Sequence, residues 1–113
     1  MTLSTFLCAI QQPEHRFADT LAFIDQHYRY TPRAFDNAGL HNSAGSNEGS
    51  CKIFGLALLE QLNSNEALLA FGEHYAYVLA TPNETEHANI RQLLKHGLGA
   101  VSFSELPLSR LVI

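Results

Sequence analysis

Apolar positions recur at helical spacing along most of the chain, and polar turn formers cut them into segments. Thr2 or Ser4 can cap a short apolar helix that ends near Gln12, where Pro13 interrupts it. Phe17, Leu21, Ile24 and Tyr28 then repeat at helical spacing, with Asp19, Asp25 and Gln26 off that stripe, which predicts a second helix over 16–28. A third begins at Gly49 or Ser50. Its apolar residues, from Cys51 through Phe54 to Leu62, cover almost the whole circumference, so it should be central and surrounded. Ser64 is an apt N-cap for a fourth helix carrying Leu68, Phe71, Tyr75, Val78 and Leu79, closed by Thr81-Pro82. Asn83 or Thr85 can cap a fifth, with Ile90, Leu93 and Leu94 inward and Gly97 as its stop.

The intervening stretch 29–49 holds Pro32, Asn37, Gly39, Asn42, Gly45, Asn47 and Gly49, and reads as a polar loop of about twenty residues. A loop that long in a compact domain is usually functional or a misassignment. Tyr28-Arg29-Tyr30 can pass through a short extended stretch. Val101-Ser102-Phe103 alternates like a strand without an obvious partner, and 106–113 is apolar. The expected architecture is therefore all-α: one domain spanning 1–113, a compact five-helix bundle around a buried central helix, with a long polar loop and room for minor β pairing near the C-terminus.

Composition narrows the function classes. At 113 residues the chain has space for one core, and that core needs no disulfide or metal staple. Seven Lys and Arg against eleven Asp and Glu give a net charge of -4, opposite to what a phosphate-backbone binder needs, so nucleic acid is not an expected partner. Protonation of all six histidines would carry the formal charge to +2. No run approaches the ~20 apolar residues of a membrane span. Residues 1–12 lack the basic start and long apolar run of a Sec signal, so the cytoplasm is the expected compartment. Charged residues make up only 16% of the chain, and seven Asn and five Gln carry much of the polar work.

The segment NSAGSNEGSCK, residues 42–52, concentrates the candidate chemistry. A polar loop feeding a buried helix presents free N–H groups suited to a small anionic ligand. The glycine spacing does not match a P-loop. Cys51, in the first helical turn beside Lys52, stands where a thiolate would be favoured, or it packs as a small buried apolar residue. The spacing places no histidine base beside the sulfur; His74, His87 and His41 are the histidines expected near the loop, and Cys51, His74 and His87 are the catalytic candidates, with no role assigned. No HxxxH, HExxH or CxxC spacing is present, so neither a metal site nor another cofactor is expected. Asn42, Asn47, Glu48, Ser50, Lys52, Tyr75, Asn89 and Arg91 are the candidate ligand-binding residues. His87, Arg91 and Lys95 share one face of the fifth helix, where they can meet an acidic partner or simply complement the helix dipole. Asn42, Asn47, Ser50 and Asn89 can equally serve to satisfy backbone groups of the loop.

The runs YRYTPRAF (28–35), NSAGSNEGSCKIF (42–54), ALLAFGEHY (67–75) and HANIR (87–91), in this order and spacing, resemble the HopJ type III effector protein family. The resemblance extends from about Phe17 to Phe103. It implies a small helical domain of a kind delivered through type III secretion, acting on a host protein if exported, and it carries over no established reaction or cofactor. Motif positions matched here include Tyr30, Asn37, Asn42, Asn47, Cys51, Tyr75, His87, Asn89 and Arg91. The chain departs from the family pattern at His74-Tyr75-Ala76-Tyr77 and at Leu98. The second reading is a small bacterial cytosolic enzyme or ligand-binding protein with its site at the 42–52 loop.

Overall fold

A computed structural model describes residues Met1 to Leu111. The order of elements is α1 (Leu3–Ala9), α2 (Phe17–His27), β1 (Tyr28–Tyr30), β2 (Phe35–Asn37), β3 (Leu40–Asn42), α3 (Glu48–Glu60), α4 (Ser64–Ala70), α5 (Glu73–Ala80), α6 (Ala88–His96), β4 (Val101–Phe103) and β5 (Leu108–Arg110). The fold is mixed helix and sheet, which overturns the all-α expectation. What reads in sequence as one polar loop contains three short strands. Antiparallel β1 and β5 form one ribbon, with Tyr28 opposite Arg110. The order β3-β2-β4 forms a three-stranded sheet, also antiparallel. Three-residue strands carry almost no periodicity, and apart from the local β2–β3 hairpin their pairings form only through the tertiary fold. The apolar stretch 106–113 supplies β5, and its last two positions lie outside the described residues.

α3 is the centre that its apolar circumference predicts. Cys51, Ile53, Phe54, Gly55, Leu56 and Ala57 are all buried. Phe54 packs edge-on against Phe35 of β2 and Phe71 of α4, tying helices to sheet. A Cβ at Gly55 would overlap the Pro107 ring, so glycine there lets β5 lie against the helix. At the end of α3, Glu60 accepts hydrogen bonds from the Tyr28 hydroxyl and the Arg110 guanidinium, joining the helix to both strands of the β1–β5 ribbon. The guanidinium, first of all, holds the Glu60 carboxyl below the usual carboxylate range.

Several predicted boundaries move. Tyr28, expected at the end of the second helix, begins β1. The fourth helix is two, because Gly72 turns the chain at φ 58°, ψ -126°, and restarts it as α5. A Cβ at Gly72 would stand 2.6 Å from the Phe17 nitrogen. That approach lets Glu73 accept from the Phe17 N–H at 2.7 Å and cap α2 from another element. Asn63, not Ser64, caps α4, through a reciprocal box with Glu66. Ser64 accepts from the Leu98 N–H instead. Neither Asn83 nor Thr85 caps α6; its N-cap is His87 in the left-handed region. Leu94, expected inside, is 47% exposed. Ala38 and Gly39 form the two-residue β2–β3 turn, both at positive φ. No helix of the described residues is long and apolar enough to cross a membrane.

Candidate functional site

Strand alternation starts the site. In β2, Phe35 and Asn37 point inward while Asp36 is exposed, and in β3 the buried residue is Asn42. Two asparagine amides are thus placed beneath the start of α6, where Asn89 is itself buried. Asn89 and Asn42 exchange amide hydrogen bonds, Nδ2 of Asn89 to Oδ1 of Asn42 at 2.8 Å and the reverse at 3.3 Å. Asn37 donates to both the carbonyl and the side-chain oxygen of Asn89. Asn47 donates to Asn42 Oδ1 at 2.6 Å, closing a four-asparagine network that ties β2, β3, the entry to α3 and α6 together. Amides suit Asn42 and Asn89 because each both donates and accepts, which a carboxylate cannot do, while the buried Oδ1 of Asn37 has no partner among the described residues.

Above the network lies a concavity of about 390 Å³ between the 42–50 loop, α5 and α6. Its lining includes Asn42, Asn47, Ser50, Asn89, His74 and His87, six of the residues singled out in the sequence, together with His41. The imidazoles of His74 and His87 face each other with ring centres 4.8 Å apart. His74 also meets the Phe17 ring edge-on at 4.7 Å, and the Tyr77 ring meets His87. Burial of the packed ring face, then the neighbouring His74 and Arg91, lower the pKa of His87, against an opposing pull from Glu86. His41 pairs with Asp36 at 2.9 Å.

The other sequence candidates face elsewhere. Cys51 is 1% exposed and directs its thiol to the Arg33 carbonyl at 3.5 Å. Burial pushes that thiol up, outweighing the carbonyl contact, Tyr30 and Lys52. Among the described residues the sulfur has no hydrogen bond to an imidazole, so the geometry offers no Cys–His pair. Lys52 sits over the Tyr30 ring at 4.9 Å and reaches Asp25. Glu48 accepts from the Tyr30 hydroxyl. Tyr75 lines a separate hollow with Ile10 and Leu79. Arg91 spends its guanidinium on the Glu86 carbonyl and on the carbonyl and hydroxyl of Thr81, fixing the α5–α6 connection. Among the described residues no three His, Cys, Asp or Glu side chains gather as metal ligands.

Sequence reasoning took Asn37 for a turn former and missed its place in the network. Its signal was the alternation Phe35-Asp36-Asn37, readable only once that stretch is taken as a strand. Phe17, from the distant α2, also lines the concavity without any local signal.

Comparison with known proteins bears on this arrangement. The family model described as HopJ type III effector protein matches residues 3–108. A solved structure described as the crystal structure of unknown function protein VPA0580 is similar at a TM-score of 0.91 and 36% identity, over 98% of this chain and 95% of that one. No curated protein matches the sequence.

Proposed function

The chain belongs to the HopJ type III effector protein family, and from that premise we propose that it acts by binding rather than by catalysis, through the concavity between the 42–50 loop, α5 and α6. The observation that carries the reading is the four-asparagine network. It supports a polar hollow with three histidines on its walls, while the one buried cysteine is turned away with its thiol pushed up. Rigid support beneath exposed polar groups is what a binding site requires, and nothing in the hollow supplies an activated nucleophile. For an exported chain, the bound group is a side chain or modification on a host protein. A free small molecule in the bacterial cytoplasm is the second reading, favoured by a volume within the range of small-ligand pockets.

A fragment screen by amide NMR on the labelled protein, covering small anions, amines and neutral sugars, tests the location. Shifts should gather on Asn42, Ser50, Ala88 and Asn89. Binding that instead mapped to the hollows beside α1, or no binding by any class, would overturn the reading.

A further inference from the structure

We propose that the concavity takes a small oxyanion, a phosphate, sulfate or carboxylate group, held between the His74–His87 pair and the first turns of α3 and α6, with a proton taken up by the imidazoles as it binds. This names the ligand class of the site proposed above and rests on that reading. Three histidines and no carboxylate line the concavity, in a chain where acids outnumber Lys and Arg by eleven to seven. The exclusion of acidic side chains from one hollow of an acidic protein is charge selection for a negative guest.

Two helix starts add to it. α3, of 13 residues, and α6, of 9, both open onto this concavity, with Gly49, Ser50, Ala88 and Asn89 on its wall. In both, the N-cap residue is left-handed, Asn47 at φ 51° and His87 at φ 59°, and neither side chain caps the helix. Asn47 has given its amide to Asn42. In α6 the Ile90 N–H bonds the His87 carbonyl, which leaves the N–H groups of Gly49, Ser50, Ala88 and Asn89 for an acceptor from outside, and the dipoles of both helices favour negative charge there.

The charged and titratable groups around the imidazoles set the pH dependence. His87 faces His74 and Tyr77 of α5, Arg91 of its own helix and Glu86 before it. His74 faces Phe17 of α2 and His87, and its neighbour Glu73 is bound to Phe17 and Arg16. His41 is paired with Asp36. Two protonated imidazoles 4.8 Å apart repel each other. An oxyanion beside the pair offsets that repulsion, so binding and protonation favour each other.

Sulfate is the probe, because its charge is constant across the range in which histidine titrates. Titration of the labelled protein at pH 6 and pH 8, at fixed ionic strength in chloride, should move the Ser50, Ala88 and Asn89 amides. The affinity should be at least about tenfold higher at pH 6. His74→Gln, and separately His87→Asn, which suits a left-handed backbone, should flatten that dependence with the melting temperature otherwise kept. Equal affinity at both pH values, or shifts spread over the surface, would overturn the proposal. Binding of neutral or cationic fragments at the concavity with none of sulfate would overturn the oxyanion while leaving the binding site in place. Silence from every class would remove both.

Discussion

Cys51 and Lys52 are adjacent at the start of α3, yet the helix turns one into the core and the other to Tyr30 and Asp25. The features that make Cys51 stand out in the sequence, its helix start and cationic neighbour, are outweighed by burial. The asparagines show the reverse. Asn37, Asn42 and Asn89 look like ordinary turn and helix-start residues, and their importance lies in meeting one another across 47 and 52 positions of sequence. Asn89 is the hub, so Asn89→Ala removes three amide hydrogen bonds to Asn37 and Asn42, although Asn42 keeps Leu40 and Asn47 and Asn37 keeps the backbone carbonyl at 89. The substitution should lower stability by about 1–3 kcal/mol. Urea unfolding checks this, and a midpoint equal to that of the parent would show that the network does not support the fold.

At the scale of elements, long periodic segments were legible and short ones were not. α2, α3 and α6 declare themselves because ten or so residues repeat one period. The β strands hold three residues each, and β1, β4 and β5 are defined by a partner far along the chain. The split of α4 from α5 was hidden for another reason. Phe71-Gly72-Glu73 continues the apolar period, and only the close approach of Phe17 to Gly72 shows why the helix must stop. The kink also brings His74 to the concavity and Glu73 to the start of α2. Gly72→Ala should therefore cost about 1–3 kcal/mol from its backbone region alone, with further loss from the overlap. Thermal unfolding would report it. Amide exchange at Phe17 should rise with it, and a variant as stable as the parent would refute the account of the kink.

For the whole molecule, the site was half legible. The 42–52 loop was legible as the place where candidate polar residues gather, and in the structure it lies against the start of α6. The strands beneath them were not foreseen, because a stretch rich in Asn and Gly reads as loop until tertiary pairing makes it sheet. Protons act on the molecule as a whole as well. His15 is nearly buried, and its Nε2 lies 2.7 Å from a Thr20 hydroxyl that donates to the Ala70 carbonyl. The imidazole therefore donates to Thr20. Burial lowers its pKa from 6.5, against Asp19 and Glu73, which pull the other way. A lowered native pKa means that the unfolded chain binds the proton more readily. The stability this neutral ring contributes is complete above pH 6.5 and is lost as the pH falls through the native value. Melting temperature in chloride buffer should fall on acidification below that point, and His15→Gln, which keeps a donor for Thr20, should fall less. Equal slopes for the two proteins would refute it.

The nesting of the two sheets has a consequence in time. β1 pairs with β5 and β2 with β4, so strands at 28–37 wait for partners at 101–110, with four helices made in between. Helices form from local contacts quickly, whereas closing so long a span is slow. A chain emerging from the ribosome thus carries its central helices early but leaves Tyr28 and Phe35 without Arg110 and Phe103, their partners across the strands, until those residues have been made. The concavity is complete only once α6, which brings Asn89 and carries His87 at its start, has docked on the β2–β3 hairpin.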